Sequence, residues 1–293
     1  MVVARTMGND HRVEADPSRT ALLAALARGG HRLLDPPPWI LDDPLALELV
    51  GPDWRAVAGS GAGAYSDELR RQIRASLALR SRYAEDRLEL GAFRQYVLLG
   101  AGLDSFGWRR PDLLGPLRLF EIDHPASQAW KRQRIGDLGL AVSGHQVFAP
   151  VDFEVASLQE GLDAAGFDWG QPTLFSWLGV VPYLTLGAVE STLRTIAGCR
   201  SGSEVVFEYG VEESRLDGYG REFSRTFSTV ASESGEPLQG GWSPEEAEAV
   251  VGRCGLGVAE HPGRDELTDR YFSDRSDGLR PWSASRLLAA TVP

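Results

Sequence analysis

From residue 96 onward the chain alternates short apolar runs with segments suited to helices, and this alternation restricts its fold more than any other feature. Tyr96-Val97-Leu98-Leu99 is a run of the kind that forms a strand buried on both faces. Similar runs occupy 117–122, 146–151, 173–177 and 204–207, with weaker ones at 256–260 and 285–290. Helix-compatible stretches at 125–138, 158–165, 188–197 and 244–254 lie between them. Buried strands alternating with helices predict an α/β fold: a Rossmann-like, doubly wound, mostly parallel seven-stranded sheet. Such sheets take their ligands outside the carboxyl ends of the strands, where the strand order reverses. Functional residues are therefore expected just after each strand.

The first 90 residues read differently. Ser18 is a candidate N-cap for an Ala/Leu-rich helix that ends at Gly29-Gly30, and Pro36-Pro37-Pro38 forces a turn or an extended connection. Asp42-Asp43-Pro44 restarts a helix, 59–63 is a glycine-rich break, and 67–90 is helical again. Residues 1–90 are thus expected to form a helical cap packed on a core of 91–293, with an insertion at about 208–241.

Bulk properties narrow the function. A chain of 293 residues can bury a substantial core, and its 43% hydrophobic and 24% charged content is ordinary for a globular protein. A net charge of −11 argues against a protein that tracks nucleic-acid phosphates or docks on anionic lipid. Two cysteines, Cys199 and Cys254, supply no disulfide framework or cysteine-based zinc site, and the five histidines form no paired motif, so no metal is expected. The first residues lack a secretory apolar core, and no apolar run approaches the roughly 18 residues of a membrane span. A cytoplasmic location is the expectation.

The chemistry clusters at the strand ends. The first strand runs into Gly100-Ala101-Gly102-Leu103-Asp104-Ser105, where two glycines allow a tight turn and close approach to a ligand. Glycines also simply end strands, but the position after a buried run favours a ligand cradle. Ser105 stands where a dinucleotide fingerprint has its third glycine, which favours a ligand without a pyrophosphate. The second strand ends Phe120-Glu121-Ile122-Asp123, placing acids where these folds hold a ribose diol. Capping of the following helix, which opens with Pro125, is the competing role for both acids. The third strand ends Val151-Asp152-Phe153, an acid for an exocyclic amine beside a ring that can stack on a base, or else a surface turn.

These elements together resemble the bacterial branch of the leucine carboxyl methyltransferase-like family of S-adenosylmethionine (SAM)-dependent methyltransferases. The resemblance runs from Ser18-Arg19-Thr20-Ala21 to the C-terminal strand. It takes in Leu41-Asp42-Asp43-Pro44, Leu79-Arg80-Ser81-Arg82-Tyr83, the 99–105 turn, the Glu-x-Asp pair and Gly179-Val180-Val181-Pro182-Tyr183-Leu184. It implies that Gly100 and Gly102, with Asp104 beside them, line a SAM pocket. It further implies that Glu121 and Asp123 hold the ribose, Asp152 and Phe153 the adenine, and Arg80 the cofactor carboxylate through paired hydrogen bonds. One departure stands out: many relatives place Glu before the glycine at 179, near the cofactor amino group, and here that residue is Leu178. The amino group then needs other acceptors, such as backbone carbonyls after the fourth strand.

A SAM sulfonium is already an activated donor, so the protein's task is alignment and exclusion of water. No residue stands out as an obligatory base and a carboxylate acceptor needs none; the resemblance, to a family that includes carboxyl methylation, then implies O-methylation of a small organic acid, with Tyr183 a candidate acceptor contact. The aromatics Tyr209, Tyr219, Phe223, Phe227 and Trp242 can either roof the acceptor or pack on one another. The alternatives are a nicotinamide-dependent oxidoreductase, disfavoured by Ser105 and the lack of a Tyr-x-x-x-Lys pair, and an inactive SAM-binding partner protein.

Overall fold

A computed structural model describes residues 19–59, 65–152, 156–233 and 238–293. Ser18, Phe153 and most of the 59–63 break lie outside the described residues. The expected strands are present: β1 (Gln95–Leu99), β2 (Arg118–Asp123), β3 (Gln146–Pro150), β4 (Thr173–Trp177), β5 (Glu204–Gly210), β6 (Gly257–Glu260) and β7 (Ser285–Thr291). They form one sheet in the order β3-β2-β1-β4-β5-β7-β6. β1 lies inside the sheet, pairing in parallel with β2 on one side and β4 on the other, with Val97 opposite Phe120 and Phe175. The order reverses there, so the loop after β1 opens into the crevice that such sheets use for ligands. β7 runs antiparallel between β5 and β6.

Among the described residues, four helices precede the sheet: α1 (Arg19–Leu34), α2 (Ala46–Val50), α3 (Trp54–Gly59) and α4 (Asp67–Leu90). Between the strands come α5 (Phe106–Arg109), α6 (Pro111–Leu114), α7 (Pro125–Asp137), α8 (Leu158–Ala164) and α9 (Leu186–Ala197). The chain then forms α10 (Gly218–Glu233), α11 (Pro244–Arg253) and α12 (Arg264–Phe272). The stops and starts are chemically explicit. Ser157 and Ser243 each close a capping box, with Glu160 and Glu246, at the starts of α8 and α11.

Strand alternation divides the core. Val97, Leu99, Phe120, Ile122 and Phe175 face α8, α9 and α11, meeting Leu162, Val189, Leu193 and Val250. Tyr96, Leu98, Leu119, Leu174 and Val206 point the other way, onto Ala75, Ala78, Leu79, Tyr83 and Leu88 of α4. α4 is therefore one of the layers that bury the sheet, and it carries Arg80 to the edge of the crevice. The N-terminal helices are held to α4 by charge as well as by packing. Asp35 accepts from His31 Nδ1 at 3.0 Å and, bidentately, from Arg74 Nε and Nη2 at 3.0 and 2.7 Å. Burial would raise the Asp35 carboxyl, but His31 and Arg74 bring it down to about 2.

The 208–241 region differs in part from the expectation. β5 continues to Gly210, so Glu208 and Tyr209 belong to the sheet. Tyr209 is buried, stacked on Trp242 with ring centroids 5.9 Å apart, so both complete the core instead of roofing a ligand. Among the described residues, no helix is long and apolar enough to cross a membrane.

Candidate functional site

A cavity of about 1050 Å³ opens at the carboxyl ends of β1, β2, β4 and β5, walled on its outer side by α1, α4 and α10. Its floor is the turn after β1. Gly100 has φ +72°, and a Cβ there would come within 2.4 Å of Val180 Cγ2. Gly102 has φ +48°, and its Cβ would meet Ala21 of α1 at 3.1 Å. Both positions thus need glycine for conformation and for space. The turn is tied to β2 by Gly100 and Ala101 N–H groups, which donate to Ile122 O at 2.9 and 3.1 Å.

Asp123, at the tip of β2, lines the cavity. It accepts from the backbone N–H of Gly102 and from that of His124 at 2.7 Å. Burial pushes its carboxyl above the usual range in spite of these two amides. Asp104 also lines the cavity and accepts from Phe106 N–H at 2.7 Å. Burial alone would raise it, but the nearby charges of Arg28, Lys131 and Arg109, with that amide, hold it below the ordinary value. Arg28 itself is buried, donating to Asp43 at 3.0 Å and to the Leu103 carbonyl at 2.6 Å, so α1 is pinned against the turn.

Glu121 requires a correction. Its spacing from Asp123 puts both on one face of β2, yet Glu121 does not line the cavity. It is buried, accepting from Lys131 Nζ at 2.5 Å and from Gln146 Nε2 at 2.7 Å. Lys131, ten residues on and one layer out on α7, takes the carboxylate that the strand pattern alone would assign to a ribose. Burial raises the Glu121 carboxyl although Lys131 and Gln146 both act to lower it. Asp152 also stands apart from the lining; its carboxylate lies 4.0 Å from Nε2 of His124, which does line the cavity.

The opposite end is built from side chains. Arg80 reaches in from α4, its guanidinium lying over Gly179, where a Cβ would come within 2.8 Å of Nη1. Nη1 donates to Glu208 Oε2 at 2.6 Å. Arg82, two residues away, faces outward onto Asp86 and takes no part in the lining. Tyr183 lines the cavity from the 3₁₀ turn Val181–Tyr183, next to Leu178 and Gly179. Above them Phe223 stacks on Phe227 at 4.8 Å and leans on Trp282 at 4.3 Å. Of the five aromatics that could roof the acceptor, Phe223 and Phe227 line the cavity, and Tyr219 does not. Sequence reasoning missed Arg28, Glu208 and Trp282. Glu208 carried a usable signal, since it follows the apolar run Val205-Val206-Phe207 just as Asp123 and Asp152 follow theirs.

The glycine cradle, the amide-backed acid at the second strand end and a cavity with room for two ligands fit SAM and an acceptor. Comparisons with known proteins agree. The leucine carboxyl methyltransferase family model matches residues 21–197. A Bacillus subtilis (strain 168) protein named as a candidate S-adenosyl-L-methionine-dependent methyltransferase, YktD, is 32% identical over 94% of this chain and 98% of its own length. A similarly named Parafrankia sp. (strain EAN1pec) protein is 36% identical over 67% of this chain and 64% of its own. In fold, the chain is similar to a DUF574 family protein from Streptomyces avermitilis, with TM-score 0.60 and 16% identity over 91% of this chain and 97% of that one. A Thermobifida fusca protein named as a candidate methyltransferase gives the same score at 15% identity, covering 96% of each chain. The chain belongs to the leucine carboxyl methyltransferase family of SAM-dependent methyltransferases.

Proposed function

We propose that the protein transfers a methyl group from SAM to a carboxylate oxygen of a small organic acid, such as a natural-product intermediate. When bound, the cofactor supplies a methyl group already activated by its sulfonium. In this reading Gly100, Gly102, Asp104 and Asp123 hold the nucleoside end and Arg80 the carboxylate, with Asp152, behind His124, toward the adenine. Phe223, Phe227 and Trp282 cover the acceptor and shed water from it, while Tyr183 orients it.

The observation that carries the choice of acceptor is the character of the lining. Its described histidine, His124, uses Nδ1 to accept from Ala126 N–H at 3.3 Å and faces Asp152 with Nε2. No imidazole of the described lining is then turned toward an acceptor as a general base, and an acceptor that arrives already ionised needs none. The experiment is a screen of SAM turnover against small carboxylic acids and phenols, followed by a pH profile on the best acceptor. A carboxylate acceptor gives a rate nearly flat from neutral to mildly alkaline pH, since its charge does not change there. A rate that climbs toward a phenol's pKa assigns hydroxyl methylation instead.

A further inference from the structure

We propose that Glu208 receives the α-ammonium of the cofactor, and that Arg80 and Glu208 together clamp its zwitterionic amino-acid end. This rests on the placement of SAM in the cavity given above.

An ammonium entering a partly desolvated cavity needs an anionic acceptor, because burying it unpaired is costly. The described acids that line the cavity are Asp104, Asp123, Glu208 and Glu213. Asp104 is committed to the cations and amide beneath the turn, and Asp123 sits on the Gly102 and His124 amides at the nucleoside end. Glu213 is exposed in its 3₁₀ turn. Glu208 is different. Its residue is 4% exposed, it projects from the end of β5, and it holds the one guanidinium already assigned to the cofactor's carboxylate. Leu178, in the same lining, offers an apolar side chain and cannot serve.

The geometry around Glu208 fixes it for this task. Ser285 Oγ donates to its Oε1 at 2.6 Å, and Trp282 Nε1 donates in turn to that Oγ at 2.8 Å. Arg80 occupies its Oε2 on one side only, and each carboxylate oxygen has a second lone pair for an ammonium proton. An α-amino acid presents a carboxylate and an ammonium a few ångströms apart, which matches a guanidinium and a carboxylate held side by side. The waiting ion pair is thereby exchanged for two charge-assisted contacts of the same sign pattern.

The test is calorimetric titration of three compounds into the wild type, Glu208→Gln and Arg80→Ala: S-adenosylhomocysteine, its desamino analogue and 5′-methylthioadenosine, which lacks the whole amino-acid arm. We expect the wild type to bind the desamino analogue at least tenfold more weakly than S-adenosylhomocysteine. Glu208→Gln should weaken S-adenosylhomocysteine at least tenfold, with little effect on the other two compounds. Arg80→Ala should weaken both carboxylate-bearing ligands and spare methylthioadenosine. Equal losses for all three ligands in Glu208→Gln would mean a merely structural role, and unchanged S-adenosylhomocysteine affinity would remove Glu208 from the site; either overturns the proposal. If Glu208→Gln does not fold, Glu208→Asp, which withdraws the charge, is held to the same pattern. Failure of the wild type to bind any of the three would instead overturn the placement of SAM on which the clamp depends.

Discussion

The two ends of the cavity are made in different ways. The nucleoside end is built from the tips of neighbouring parallel strands, so its groups are backbone amides, two glycines and an acid that follows its strand directly. The far end is assembled from α4, the end of β5, α10 and the segment before β7, which meet only in the folded chain. The first can change little without disturbing the sheet. The second can exchange side chains while the sheet stays as it is, and that is where a family sharing one cofactor can diversify its acceptors.

The largest effect should come from loosening the assembled end. Asp35→Ala leaves the buried His31 and the half-buried Arg74 without their shared anion, and breaking a pair around a buried carboxylate costs about 3–5 kcal/mol. Thermal melts should show the loss. The Asp35 carboxyl, at about 2, lies below its ordinary value, so its contribution is complete above roughly pH 4 and disappears as pH falls toward 2. The difference in Tm between wild type and variant should shrink over that window.

Next comes the strand-built end. Asp123→Ala should weaken SAM and 5′-methylthioadenosine alike, by roughly 1.5–3 kcal/mol, or about ten- to a hundredfold. Glu121→Gln should instead disturb stability through Lys131, a contrast readable by paired calorimetry and melting. If Glu121→Gln costs binding and Asp123→Ala does not, the ribose has been given to the wrong acid.

A smaller effect is expected at the roof. Phe227 lines the cavity and stacks on Phe223, so Phe227→Ala should raise the acceptor KM by about two- to tenfold, from roughly 0.5–1.5 kcal/mol of lost aromatic contact, and leave SAM affinity unchanged. The smallest is at Arg82. Its exposed pair with Asp86 predicts that Arg82→Ala changes cofactor affinity less than twofold, a sharp contrast with its neighbour Arg80.

How much of this was legible in the sequence follows the same division. The strands could be read because each is a short apolar run closed by a polar or glycine residue, and the glycine turn and Asp123 follow from their place after those runs. The reversed direction of β7 could not, since a buried run has the same pattern either way along the sheet. Glu121 was misplaced because strand periodicity puts it beside Asp123 and says nothing of a lysine arriving from α7. Tyr209 could not be told from a roof residue because β5 runs past its apolar core to Gly210, where Trp242 stacks on it. Arg80 was reached through resemblance, but its partner Glu208 lies 128 positions away, a pairing that no local pattern encodes.

The division of the cavity is tested most directly by a crystal structure of the S-adenosylhomocysteine complex. The account predicts the ribose diol on the Asp123 carboxylate above the Gly100–Gly102 turn, Glu121 still paired with Lys131, and the amino-acid arm directed toward Arg80. A nucleoside lodged against Phe223 and Trp282, with the Asp123 carboxylate making no ribose contact, would contradict it.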